Sequence, residues 1–331
     1  MQNRIKSLSR RKLLGTGGAV LCASALPLPL RAETYPTRPI RVIQGFAPGG
    51  NADTIARLVG GEMAKGLGQS VVVESQTGAG GTLAAAAVAR ADPDGYTMLI
   101  APGGHSVVDA LYKSLPFDPV ESFQMVSTIT FFPFLIVVRE DSPYQNLQQL
   151  LDAARSSKES IAYGTAGPGT LHHLGGEMLM RMADVNLLHV PYRGDAASVL
   201  ALLAGDVPFI ISTVTGVLGS LQAGKVRVLA ATGPQRWPGL PDVPTVAEQG
   251  VAGFDIRSWM AWMLPAGVPA DIVERLRAET ERAVQVPAVQ QRLQEMGGEA
   301  RASTPEEMAT MVAAEVKRWT GVVEAAGIPK I

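Results

Sequence analysis

The chain has 331 residues, with 29 Lys and Arg against 30 Asp and Glu, a formal charge of −1 and one cysteine. Without a basic surplus it is not built to grip nucleic acid, since phosphate recognition needs basic surface. One cysteine cannot form an internal disulfide, and its place at Cys22 leaves everything after it without thiol chemistry.

Residues 1–32 carry Arg4, Lys6, Arg10, Arg11, Lys12 and Arg31 and no acid. The apolar stretch at 13–14 and 17–30 is short and broken by Gly and Pro, too short to span a bilayer comfortably. This is the pattern of an export signal. Ser9-Arg10-Arg11-Lys12-Leu13-Leu14 resembles a twin-arginine signal, with cleavage expected after Ala32. Removing this segment makes the remainder more negative by six charges. Its roughly 300 residues exceed one typical domain and fit two. No later segment reads as transmembrane, so a soluble protein of the periplasm is expected.

The first strand-like run, 40–43, leads to Phe46-Ala47-Pro48-Gly49-Gly50-Asn51-Ala52-Asp53. A helical pattern follows at Ile55, Leu58, Val59 and Met63. Such a turn sets free backbone N–H groups and a positive helix end at the strand's C-terminal edge, a place for a small anion. It also serves as a plain tight turn, and the motif alone does not separate the two. A second run, 71–74, leads to Gly78-Ala79-Gly80-Gly81 and an Ala-rich helix over 83–91. Residues 92–95 form a turn, and strand 96–100 ends in Pro102-Gly103-Gly104-His105. Residues 128–138 form an extended apolar run through Phe131, Phe132, Pro133 and Phe134. The grammar then repeats. Strand 161–163 enters the Gly-rich stretch 164–170 and a helix through Leu171, Leu174, Met178 and Leu179. Strand 187–190 enters Pro191-Tyr192-Arg193-Gly194-Asp195 and another helix, and 207–211 and 226–231 are further strands. Residues 254–264, with Trp259 and Trp262, make a second extended crossing. Thr304-Pro305-Glu306-Glu307 opens the last helix with a capping box, and Met308, Met311, Val312 and Val316 mark its core face.

Alternating β and α elements predict an α/β fold with parallel or mixed sheets covered by helices. In such sheets the ligand crevice lies beyond the C-terminal strand ends, where the Gly-rich loops fall. The two crossings divide the chain into a first domain of residues 33–133 plus 257–331 and a second of 134–256.

No catalytic constellation emerges. Gly-x-Ser-x-Gly and Gly-x-x-x-x-Gly-Lys-Ser/Thr are absent, and residues 164–169 do not match Gly-x-Gly-x-x-Gly. His172 and His173 are adjacent at a helix start, so their rings point about 100° apart and share no metal readily. His189, in an apolar run, suits a hydrogen-bonded structural role better than a ligand contact. His105, at a strand end, suits either. Neither enzyme chemistry, metal nor cofactor is expected.

Taken together the loops are specific. Tyr35-Pro36-Thr37-Arg38-Pro39-Ile40-Arg41, the 46–53 loop and Gly78-Ala79-Gly80-Gly81 come first. Asp94-Gly95-Tyr96-Thr97, His189-Val190-Pro191-Tyr192-Arg193-Gly194 and Leu240-Pro241-Asp242-Val243-Pro244-Thr245 follow in that order. This series resembles the Bug family, the solute receptors of tripartite tricarboxylate transporters, over essentially the whole chain after the signal. The resemblance implies a two-domain periplasmic-binding-protein fold, its ligand cleft lying between domains joined by two crossing strands. It implies a monomer that captures a small carboxylate and passes it to membrane transporter subunits. An enzyme on the same fold, or a receptor that only signals, are the alternatives. Ligand contacts implied in the first domain are Phe46, Gly49, Gly50, Asn51 and Asp53, with Gly80 and His105 nearby. Asp53 also suits a purely structural role as loop brace or helix cap. In the second domain they are Thr165, Gly169, Thr170, His172 and Arg193. One departure stands out: after strand 207–211 the family commonly shows Asp-Asn, and this chain has Ser212-Thr213. The missing acid disfavours a plain amino-acid ligand.

Export should require Arg10 and Arg11, and the mature N-terminus should lie within a few residues of Glu33. Mass spectrometry of periplasmic protein checks the cut, and normal export of an Arg10→Lys/Arg11→Lys variant would refute the twin-arginine requirement.

Overall fold

The computed structural model describes residues 35–46 and 48–330; the export segment lies outside them. The first elements are β1 (Ile40–Gln44), α1 (Asn51–Leu67), β2 (Val71–Ser75), α2 (Thr82–Ala89), β3 (Thr97–Pro102) and α3 (Val108–Leu111). Then come β4 (Phe123–Arg139), α4 (Leu147–Ser156), β5 (Ile161–Thr165), α5 (Leu171–Ala183), β6 (Leu187–Pro191) and α6 (Asp195–Ala204). They are followed by β7 (Phe209–Thr213), α7 (Val214–Gln222), β8 (Val226–Ala231) and β9 (Arg257–Pro265). The chain closes with α8 (Ala270–Val284), α9 (Pro287–Glu295), β10 (Glu299–Ala300) and α10 (Pro305–Ala325).

The strands run in the order β2-β1-β3-β9-β4-β7-β5-β6, with β10 and β8 also paired to β4. β1 is parallel to β2 and β3, and β5 is parallel to β6 and β7. Two α/β half-sheets therefore share β4, whose 17 residues enter both. Up to Pro133 it pairs antiparallel with β9, and from Phe134 it pairs with β7 and, one residue on, with β8. From Met125 to Val138 every residue of β4 is buried, as a central strand covered on both faces requires.

Side-chain alternation assigns the cores. Met98 and Ile100 join α1 and α8 on one face of the first half, while Leu99 and Ala101 join α2 and α10 on the other. Past the crossing, Phe134, Ile136 and Val138 face α4 and α5, and Leu135 and Val137 face α6 and α7. This period of two is what a strand imposes. The final helix starts as its sequence predicts: Thr304 Oγ1 accepts from Glu307 N at 3.1 Å, and Glu307 accepts from Thr304 N at 2.9 Å. It then packs Met308 and Val312 into the first half and Trp319, Val322 and Val323 into the second. The helix thus touches both halves, and Tyr35–Ile331 cluster as one compact unit.

The two crossings lie side by side. Phe132 is in register with Ser258 and Pro133 with Arg257. Just beyond, Thr232 is 1% exposed and clips the crossings together. Its hydroxyl accepts from Phe134 N at 2.8 Å and donates to Ile256 O at 2.6 Å. Its backbone N–H donates to Phe134 O, and its carbonyl accepts from Ile256 N, both at 2.9 Å. Thr232→Val keeps the volume but leaves a buried donor and acceptor unpaired, and should destabilise the fold by about 1–3 kcal/mol. Urea denaturation measures this, and an unchanged midpoint would show that the crossings hold without the hydroxyl.

Candidate functional site

A cavity of about 410 Å³ opens where the two halves meet at the C-terminal ends of their parallel strands. On one side it is lined by Phe46, Asn51, Gly80, Pro102, Gly104, Val107, Val108, Leu111 and Tyr112. On the other stand Pro168, Gly169, Thr170, Leu171, His172, Thr213, Val214 and Thr215. Phe132, Phe134, Ser258, Met260 and Met296 form the floor around the crossings. No Lys, Arg, Asp or Glu is among these residues.

What the wall offers instead is helix N-termini. α1 begins at Asn51 beside the cavity, α5 follows Thr170, and α7 follows Thr213. Unpaired N–H groups and helix dipoles favour negative charge there. Thr213 caps α7 by accepting from Gly216 N at 3.0 Å. Thr170 caps α5 more loosely, accepting from His173 N at 3.4 Å, and its hydroxyl donates to Gly167 O at 2.7 Å. The remaining wall is apolar and aromatic, shaped for a hydrocarbon body.

Of the residues expected to contact ligand, Phe46, Asn51, Gly80, Gly169, Thr170 and His172 meet around this cavity. The others lie outside its lining. Gly49 and Gly50 form the exposed turn before α1. Asp53 is 5% exposed, accepts from Gly49 N at 3.1 Å and pairs with Arg57 at 3.0 Å. Arg57 lowers its pKa and keeps it a carboxylate. Asp53 thus takes the loop-bracing role. His105 is buried behind the wall, its Nε2 donating to Pro119 O at 2.9 Å and its ring between Phe117 and Phe123. Burial pushes it down to about 4, so it stays neutral. Thr165 is fully buried and joins His189 Nε2 at 2.6 Å. His173 stacks on His189 with centroids 3.8 Å apart and accepts from Gly169 N at 3.1 Å. These groups brace the Gly-rich turn from behind, and His189 has the structural role expected of it. Arg193 is exposed on the turn into α6.

The acid that seemed absent after β7 is present from another element. Asp195, at the start of α6, accepts from Ser212 Oγ at 2.8 Å, Thr213 N at 3.0 Å and Thr213 Oγ1 at 2.6 Å. Ser212 and Thr213 therefore engage both its oxygens. Sequence reading also passed over Gln44. This fully buried amide bonds both Phe46 N and Phe46 O at 2.7 Å and Ser75 Oγ at 2.5 Å. Nothing in a lone Gln at a strand end announces that role. Met260, Met296 and Thr215 reach the cavity only through tertiary packing.

Residues 55–328 match the model of the tripartite tricarboxylate transporter family receptor. The chain belongs to this receptor family. It is 36% identical over 320 residues to the UPF0065 protein in the tcbD-tcbE intergenic region of Pseudomonas sp. strain P51, covering 96% of this chain and 95% of that one. Its fold is similar to R. palustris Rpa4515 with adipate (TM-score 0.76, 33% identity, 90% of this chain and 100% of that one). It is also similar to the periplasmic binding protein BugD (TM-score 0.73, 34% identity, 90% and 100%). The Bug resemblance and the periplasmic-binding-protein fold read from the loops are thereby established, and the chain is a receptor rather than an enzyme. Among the described residues no helix is long and apolar enough to cross a membrane.

In this receptor Gly169 has φ +72°, and a Cβ there would lie 2.7 Å from Leu111 Cδ1 across the cleft. Gly169→Ala should cost about 1 kcal/mol in stability through its backbone alone and push Leu111 into the cavity. Paired denaturation and ligand titrations check this. Equal affinity and stability in the variant would show that the turn tolerates a side chain.

Proposed function

We propose that this receptor captures a small carboxylate bearing an apolar body and delivers it, in the periplasm, to the membrane subunits of a tripartite tricarboxylate-type transporter. The observation that carries the reading is the cleft itself: helix N-termini and hydroxyls at α1, α5 and α7, no side-chain cation, and an apolar wall between. An anion satisfies the first feature and a hydrocarbon chain or ring the second. The adipate held by the R. palustris relative has this chemistry. Phe46, Asn51, Gly80, Gly169, Thr170 and His172 are the contacts proposed from the original set. Gly49, Gly50, Asp53, His105, Thr165 and Arg193 are proposed to shape or flank the loops.

The receptor acts as a monomer whose two domains, 33–133 with 257–331 and 134–256, close about the crossings at Phe132 and Ser258. A ligand that satisfies both walls only when they approach draws the equilibrium to the closed form by its extra affinity for that form.

A thermal-shift panel of glutarate, adipate, benzoate and citrate, with adipamide as neutral control, tests the ligand class. Adipate or benzoate should stabilise the protein most, by about 2.7 kcal/mol at a hundredfold excess over Kd. Stabilisation by adipamide equal to that by adipate would refute an anion site. Small-angle scattering with the best acid should show a smaller radius of gyration, and an unchanged radius would refute closure.

A further inference from the structure

Among the described residues of the cavity wall, His172 is the one that can become a cation near neutral pH. The other titratable wall residue is Tyr112. The His172 ring lies against Phe134, centroids 4.6 Å apart. Both its ring nitrogens are out of water and have no hydrogen-bond partner among the described residues. Leaving such groups unpaired is unfavourable, so a partner arriving with the ligand would be strongly felt. Nε2 stands 3.9 Å from Asp195 Oδ1. Asp195 cannot swing away, because Ser212 and Thr213 hold both its oxygens. A fixed negative charge therefore sits directly behind an unpaired imidazole at the ligand's doorstep.

We infer that His172 and Asp195 make carboxylate capture proton-linked: as the anion enters, neutral His172 takes one proton from solvent, and the imidazolium lies between ligand carboxylate and Asp195. This rests on the carboxylate reading above and adds that one end of the ligand must be an acid. The proton comes from bulk water, and no other bond forms or breaks. Asp195 is a positioning residue that acts through His172.

The surroundings support the pairing. From α6 the group facing His172 is Asp195. β4 contributes Phe134, and the end of β7 with the start of α7 contributes Ser212, Thr213 and Thr215, none charged. α10 enters this core through Trp319, Val322 and Val323. On α5, the helix of His172 itself, His173 is engaged with Gly169 N and lies 3.4 Å from Glu177. Burial holds His172 below its ordinary range, and Asp195 opposes that shift. A ligand carboxylate adds a second opposing charge and raises the pKa in the complex. Binding is then strongest below the free-protein value. It weakens up to tenfold per pH unit between the free and bound values and is flat above the bound value.

The test is calorimetry of glutarate, adipate and benzoate between about pH 5 and pH 8, the range in which histidine changes charge, its acidic end reaching toward a free His172 held below its ordinary value. Each titration is run in two buffers of different ionisation enthalpy. The expected result is uptake of up to roughly one proton per ligand and affinity that falls as pH rises. His172→Gln should bind more weakly at the acidic end, with a flat profile and no proton uptake. Asp195→Asn should shift the falling limb to lower pH by about one unit, the effect of one lost charge neighbour. If Asp195→Asn does not fold, His172→Gln decides alone. Acid binding without proton uptake and with a level pH profile would overturn the inference and leave carboxylate capture standing. Failure of all three acids to bind at any pH would overturn both.

Discussion

The rest of the molecule depends on one strand belonging to two sheets. β4 must be buried on both faces along most of its length, and from Phe131 to Val138 it is apolar without interruption. Because it alone enters both half-sheets, the parallel strands β1 and β3 on one side and β5 and β7 on the other end at one crevice. The return crossing lies in register beside it, and Thr232 ties the pair with side chain and backbone at once. Phe132, Phe134 and Ser258 thus become the cavity floor by topology. A binding site at this junction is the geometric consequence of sharing a strand, before any ligand-contacting residue is chosen.

The chemistry of that site is indirect. Polar side chains with well-made bonds stand behind the wall rather than in it. Gln44 pins Phe46, Asp53 holds Gly49, and His173 and His189 support the turn at Gly169. Glu315 accepts from Ser106 Oγ at 2.9 Å and from Trp259 Nε1 at 2.8 Å, fixing the segment that carries Gly104 and Val107. Burial raises its pKa, and the two hydrogen bonds with Arg318 counter that. Each brace orders a loop so that backbone N–H groups and small hydroxyls keep their direction without a ligand. Preorganised dipoles of this kind avoid the desolvation that a buried Arg or Lys would impose.

Most of this was legible in the sequence because it is local. Gly-rich turns after β runs marked the crevice, and the capping box at Thr304 formed as read. Two extended aromatic runs marked the crossings, and the structure sets Phe132 opposite Ser258. Long-range supply of a function was not legible. Ser212-Thr213 looked like a lost acid, yet Asp195 brings a carboxylate to the same place from the start of the preceding helix, α6. A single chain shows which residue types occur near which strand end, but not that a helix start 17 residues before Ser212 supplies the carboxylate there. Arg193 illustrates the converse. Its turn chemistry suited a carboxylate clamp, but the backbone leaves it exposed and sets Asp195 inward.

The last helix limits how such a cleft can move. α10 carries Met308 and Val312 into the first half and Trp319, Val322 and Val323 into the second, with Glu315 bound to Trp259 between them. A 21-residue helix is stiff, so its two ends cannot separate as the halves rotate. For the proposed closure this places the line of least displacement near its middle, close to Trp259 and the paired crossings. Trp259 and Trp262 are fully buried beside that line. In the proposed closure the far walls, such as Leu111 against Gly169, would travel furthest for a given rotation. A shared strand, its clipped return and a straddling helix together would confine the proposed closure to one hinge-like coordinate.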